Sequence, residues 1–155
     1  MRAISAHRLL HCAWPGANHF VESFYLRLAG DGPGRTLALH VRLADIGFPS
    51  QLMLEREVRA TFIRLPTEEV PTTGFHVEWE VADGGPYPRF TGWLFLHRGP
   101  DDQTSILELE GTYTPPLGAV GAFFDAAIGK NIAESTAAAL LTDIVHAIEG
   151  AAALS

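Results

Sequence analysis

Between Arg35 and Tyr113 the chain alternates apolar and polar positions with a period of two, and on both sides of that block the period lengthens to that of a helix. Leu37, Leu39, Val41 and Leu43 fall on one side, with His40 and Arg42 on the other. The alternation returns in LMLEREVRATFIRL, residues 52–65, where Leu54, Val58, Ala60 and Phe62 oppose Glu55, Glu57, Arg59 and Thr61. In GFHVEWEVADGG, residues 74–85, Phe75, Val77, Trp79 and Val81 oppose His76, Glu78 and Glu80. PRFTGWLFLHRGPDDQTSILELEGTY, residues 88–113, reads as two strands closed by the turn RGPDDQ. Side chains of a strand point alternately to its two faces, so five such strands with short connections predict an antiparallel meander with one apolar and one wet face.

Helical spacing brackets the meander. The first eleven residues, MRAISAHRLLH, predict an opening strand, although their Ala and Arg are poor strand formers. In WPGANHFVESFYLRLAG, Pro15 and Asn18 signal a helix start, Phe20, Val21, Phe24, Tyr25 and Leu28 recur at helical spacing, and Gly30 signals a stop before the turn GDGPG. From Leu117 to Glu149 the period is helical again, with Val120, Phe123, Phe124, Ala127, Leu141, Ile144, Val145 and Ile148 on a broad apolar face and Asp125, Gly129, Thr136 and Asp143 opposite. At 1.5 Å per residue that helix is about 45 Å long, so it must lie along the sheet and cover its apolar face. In EGTYTPPLG, residues 110–118, Pro115 and Pro116 stop the last strand's ladder and set the turn into the helix, and Gly118 and Gly121 permit close passage over the sheet. The same glycines suggest a phosphate cradle at a helix start, but no Lys or Arg stands nearby to help hold an anion.

Composition narrows the partners. The length of 155 residues suits one domain, residues 1–155, and 47% hydrophobic against 19% charged residues excludes a disordered chain, with apolar excess available to line a cavity. Eighteen acidic against 11 basic residues give a formal charge of -7, which removes the attraction to phosphate that drives nucleic-acid binding. The single cysteine, Cys12, cannot form an intramolecular disulfide, no charged start precedes an apolar run, and no stretch approaches the roughly 20 apolar residues of a membrane span. The expected setting is the cytoplasm.

The order of elements, with YPRFTGWLFL at residues 87–96 and LELEGTYTPPLGAVGAFFDAAIGKNIAESTAAALL at residues 107–141, resembles the helix-grip fold of the START-related superfamily, called SRPBCC. That superfamily includes lipid-transfer domains, pollen-allergen-like proteins and polyketide cyclases. The second stretch is similar to bacterial members in which a strand ending in Gly-x-Tyr-x-Pro-Pro-Leu-Gly opens the last helix. The resemblance implies an α+β fold in which a curved antiparallel sheet wraps a long C-terminal helix, with a short N-terminal helical segment. It also implies a cavity for an apolar ligand between sheet and helix.

The candidate chemistry is sparse. His76, Glu78 and Glu80, with His40 and His97 on neighbouring strands, are metal-ligating types, but alternation puts them on the wet face and the expected metal content is none. Cys12 near Trp14, His7 and His11 has the residue types of a thiol and base without spacing that points them together. The chain has no Gly-x-Ser-x-Gly elbow, phosphate-binding glycine loop or dinucleotide fingerprint, and no cofactor is expected. Phe62, Phe75, Trp79, Phe90, Leu94, Leu109, Tyr113, Phe124 and Leu141 face inward by period, which favours a solid core over an apolar pocket; the resemblance brings the pocket level with the core. Glu134 is either a polar handle inside that pocket or a surface partner of Lys130 one turn earlier. Three functions follow. The first is non-enzymatic binding of a small apolar or amphipathic molecule. The second is a polyketide cyclase or dehydratase using Glu134 and Tyr113 in the same cavity. The third is a protein-interaction module, for which a homodimer is expected.

Overall fold

The computed structural model describes residues 2–30, 34–41, 56–65, 74–82, 87–114 and 126–154. The described elements are β1 (Arg2–Leu10), α1 (Trp14–Arg27), β2 (Gly34–Val41), β3 (Arg56–Arg64), β4 (Gly74–Val81), β5 (Arg89–Arg98), β6 (Ser105–Thr114) and α2 (Ala126–Ala153). The strands form one sheet in the order β1-β6-β5-β4-β3-β2, and every neighbouring pair is antiparallel. β2 to β6 are the expected meander. The opening strand joins it in full: all nine residues pair with β6, from Arg2 opposite Tyr113 to Leu10 opposite Ser105. The proline–glycine junction at 115–118, the expected helix start at Leu117, and Leu43, Leu54 and Phe124 lie outside the described residues.

α1 carries the chain from the β1 edge to the β2 edge. Pro15 sits in its first turn, where a missing N–H costs nothing, and Ala17, Val21 and Tyr25 repeat every four residues on its buried face. Its last carbonyls are closed by Arg35, whose guanidinium donates to Leu26 O at 2.6 Å and Leu28 O at 3.3 Å.

α2, 28 residues and about 42 Å long, touches β6, α1 and both edge strands, β1 and β2. The sheet therefore curls until its two edges meet the helix. This corrects the expected faces of α2: Gly129 and Thr136, predicted opposite the apolar face, are buried, because a helix held from both sides keeps only a narrow solvent stripe. Asp143 does stay exposed, while Leu140, Leu141, Ile144 and Ile148 are fully buried.

Two glycines permit the curl. Gly92 and Gly111 stand opposite each other on β5 and β6. A methyl group on Gly92 would lie 2.7 Å from the Gly111 Cα and 2.7 Å from the Phe90 ring, so the ring lies over a patch that only glycine leaves clear. Among the described residues no helix is long and apolar enough to cross a membrane.

Candidate functional site

β2, β4 and β6 finish at the end of the sheet where β3, β5 and α2 start. Three inward side chains of neighbouring strands meet near that end. Trp79 stands opposite Phe90, and Phe90 opposite Tyr113. The Trp79 and Phe90 rings stack at 4.2 Å with 14° between planes, and the Trp79 indole donates to Pro88 O at 3.2 Å. The Tyr113 ring reaches α2, where a methyl group on Gly129 would sit 4.0 Å from it.

Polar atoms are held inside this apolar setting. Tyr87 is 3% exposed, and its hydroxyl lies 2.5 Å from that of Thr136, itself fully buried. The Thr136 hydroxyl also lies 2.7 Å from Ile132 O one turn earlier, which ties the pair to the backbone of α2. Burial pushes the Tyr87 phenol up to about 12, against the Thr136 hydrogen bond and the nearby Arg56 charge, which act to lower it. The Arg56 guanidinium, 4% exposed, lies over the Tyr87 ring with its central carbon 5.8 Å from the ring centre. Tyr113 is 1% exposed, yet its hydroxyl has no hydrogen-bond partner among the described residues. Leaving a buried hydroxyl unpaired costs about 1–3 kcal/mol.

The other expected residues divide. Phe62, Phe75, Leu94, Leu109 and Leu141 are buried beneath the sheet, with Phe62 and Phe75 packed against Phe24 and Tyr25 of α1. Glu134 is exposed with its carboxylate 3.9 Å from Lys130, the surface arrangement and not the inward handle. Tyr87, Thr136 and Arg56 are not among the residues expected at a site. Arg56 does carry a signal, since it falls in phase with Val58, Ala60 and Phe62 on the apolar side of β3.

The wet face holds His40, His76 and His97. His76 Nε2 lies 3.1 Å from Thr91 Oγ1, and His97 pairs with Glu108 at 3.2 Å. Among the described residues no three His, Cys, Asp or Glu side chains gather as a metal requires. A groove of about 600 Å³ opens on this face, lined by polar residues such as Arg59, Glu78, Glu80 and Arg89 and also bordered by Trp79 and Phe90, with Arg89 and Glu80 paired at 2.9 Å. It is roomy but wet, and holds no dry polar group like those under the sheet. Burial and then Glu149 push the Cys12 thiol up, and the nearby His11 is tied to Glu149 by its backbone N–H at 2.7 Å and its ring at 3.1 Å.

No family model matches the chain, and no curated protein matches it. Solved structures do. The Zhui aromatase/cyclase from a Streptomyces species superimposes with a TM-score of 0.63 at 9% identity, over 96% of this chain and 93% of that one. The architecture is a helix-grip fold. A Thermus thermophilus protein matches with a TM-score of 0.54 at 10% identity, over 97% of this chain and 99% of its own. An uncharacterised Bacillus thuringiensis protein matches at 0.53 and 14% identity, over 95% and 98%. At these identities the likeness is one of fold, and chemistry has to be argued from this chain's own residues.

Proposed function

We propose that the protein binds a small hydrophobic or amphipathic molecule between the sheet and α2, at the end marked by Trp79, Phe90 and Tyr113. The observation that carries the reading is the Tyr113 hydroxyl, buried and without a partner among the described residues. A ligand oxygen there would satisfy it, while the stacked Trp79 and Phe90 rings offer the apolar wall that ligand sites usually have. An enzymatic reading, cyclase or dehydratase, is weaker. It requires a titratable group facing the ligand with a pKa near the working pH. Glu134 faces solvent, and a Tyr87 phenol at about 12 is a poor proton-transfer group near neutrality.

Native mass spectrometry of the purified protein tests the proposal. The expected result is a retained small molecule released on denaturation, with Tyr113→Phe lowering the retained fraction about two- to ten-fold, the worth of one hydrogen bond. A wild-type protein that retains nothing, with a Tyr113→Phe variant that is simply more stable, would overturn it.

A further inference from the structure

Among the described residues, four arginines lie over aromatic faces. Arg35 and Arg64 cover Tyr25 at 5.2 and 4.9 Å, Arg56 covers Tyr87 at 5.8 Å, and Arg98 covers Trp14 at 4.3 Å. A chain of this length ordinarily has about two such contacts. Trp93 is different. It is 41% exposed on the outer face of the sheet, with no cation over it among the described residues.

The two sides of Trp93 are unlike. On the β4 side the His76 ring meets it nearly perpendicular, 4.9 Å between centres, and is itself held by Thr91 at 3.1 Å. On the β6 and β1 side a hollow of about 390 Å³ opens, lined by Ala3, Ser5, Trp93, Glu110, Gly111 and Thr112. The short side chains of Ala3 and Ser5 on the edge strand leave this space beside the tall indole. Glu110 stands directly opposite both Trp93 and Ser5 in register, is exposed, and has no ion-pair partner among the described residues. Among the described residues it is the only charged one lining the hollow.

We propose that this hollow binds an organic cation, an alkylammonium or guanidinium group, seated between the open side of the Trp93 indole and the Glu110 carboxylate. Both attractors favour positive charge: the ring through its quadrupole, the carboxylate directly. The formal charge of -7 biases the approach of a cation further. A purely apolar ligand gains one ring of contact in an open hollow and leaves Glu110 unanswered. The site is independent of the cavity proposed under the sheet and lies on its other face.

The test is a titration of the full chain, followed by amide and indole N–H resonances, with choline, with a short arginine peptide and with dimethylbutanol, the uncharged carbon isostere of choline. The expected result is saturable shifts confined to Trp93, Glu110, Gly111 and Thr112 with choline, the arginine peptide or both, and none with the isostere. Which cation binds distinguishes a free small molecule from the side chain of a partner. Glu110→Gln should weaken binding about two- to five-fold, as for an exposed ion pair, and Trp93→Ala should abolish the shifts at Gly111 and Thr112 while the remaining spectrum stays folded. Absence of shifts with both cations, equal binding of the isostere, or binding unaffected by Glu110→Gln would each overturn the proposal.

Discussion

At the α1 end of the sheet Phe62 meets Phe24 at 6.4 Å and Phe75 at 6.1 Å, both nearly perpendicular, and Phe75 meets Tyr25 at 5.1 Å. The two edge-to-face contacts of Phe62 interlock it with its neighbours. The cations there lie toward the outside, with Arg64 over Tyr25 and ion-paired to Glu22 at a part-exposed position. At the end where α2 begins, the aromatic rings stack flat, and hydroxyls and a guanidinium lie within the core: Tyr87, Thr136, Tyr113 and Arg56. Both ends arise from the same period-two alternation. The first uses it to fill space, the second to hold polar atoms in a dry setting.

The largest effect expected from this contrast is at the filled end. Phe62→Ala should cost about 3–5 kcal/mol in urea unfolding, because the neighbouring rings cannot collapse into the space it leaves. A cost below about 1.5 kcal/mol would mean that the α1 end has spare room too, and the contrast would fail.

The polar end should respond to pH. The Tyr87 phenol is raised from 10.0 to about 12 on folding, so the unfolded chain loses that proton first as pH rises. Its contribution is fully present below about pH 10 and is lost as pH climbs toward 12, amounting to roughly 2–3 kcal/mol over that window. Tyr87→Phe should remove this share of the alkaline loss while leaving the slope near neutral pH unchanged. Urea midpoints measured at intervals from about pH 8 to about pH 12 decide it, the lower limit lying about two units below the ordinary phenol. Parallel curves for the two proteins would show that Tyr87 is wetter than its burial indicates.

Much of the fold is readable from alternation, since β2 to β6 each bury one face of a twisted sheet and the period records it. β1 is not readable this way. It buries only Ile4 and Leu10 strongly, and its place depends on the ladder it shares with β6 rather than on its own pattern. The polar stripe of α2 reads too wide for a related reason: a period cannot reveal that both edges of the sheet close on the helix. At the site, Trp79, Phe90 and Tyr113 follow from their phase. Tyr87 lies between prolines in a connection with no period, and Thr136 is one hydroxyl in an alanine-rich run whose role exists only once Tyr87 is opposite it. Arg56 is detectable as a charge in an apolar phase, the kind of local inconsistency that marks functional positions.

The smallest expected effect sharpens the boundary of the polar end. Glu134 is two residues from the buried Thr136 but points away, about half exposed and with its carboxylate 3.9 Å from Lys130. An i,i+4 pair at such a site contributes about 0.3–0.5 kcal/mol, and here the charges run Lys before Glu, the less favourable order along a helix. Glu134→Gln should therefore change stability by no more than about 0.5 kcal/mol, and that small difference should vanish at high salt. It should also leave the fraction of retained small molecule unchanged, in contrast to Tyr113→Phe. A variant that kept its stability but lost the molecule would place the Glu134 carboxylate at the ligand, and would extend the recognising surface from the inner end of the sheet onto the outer stripe of α2.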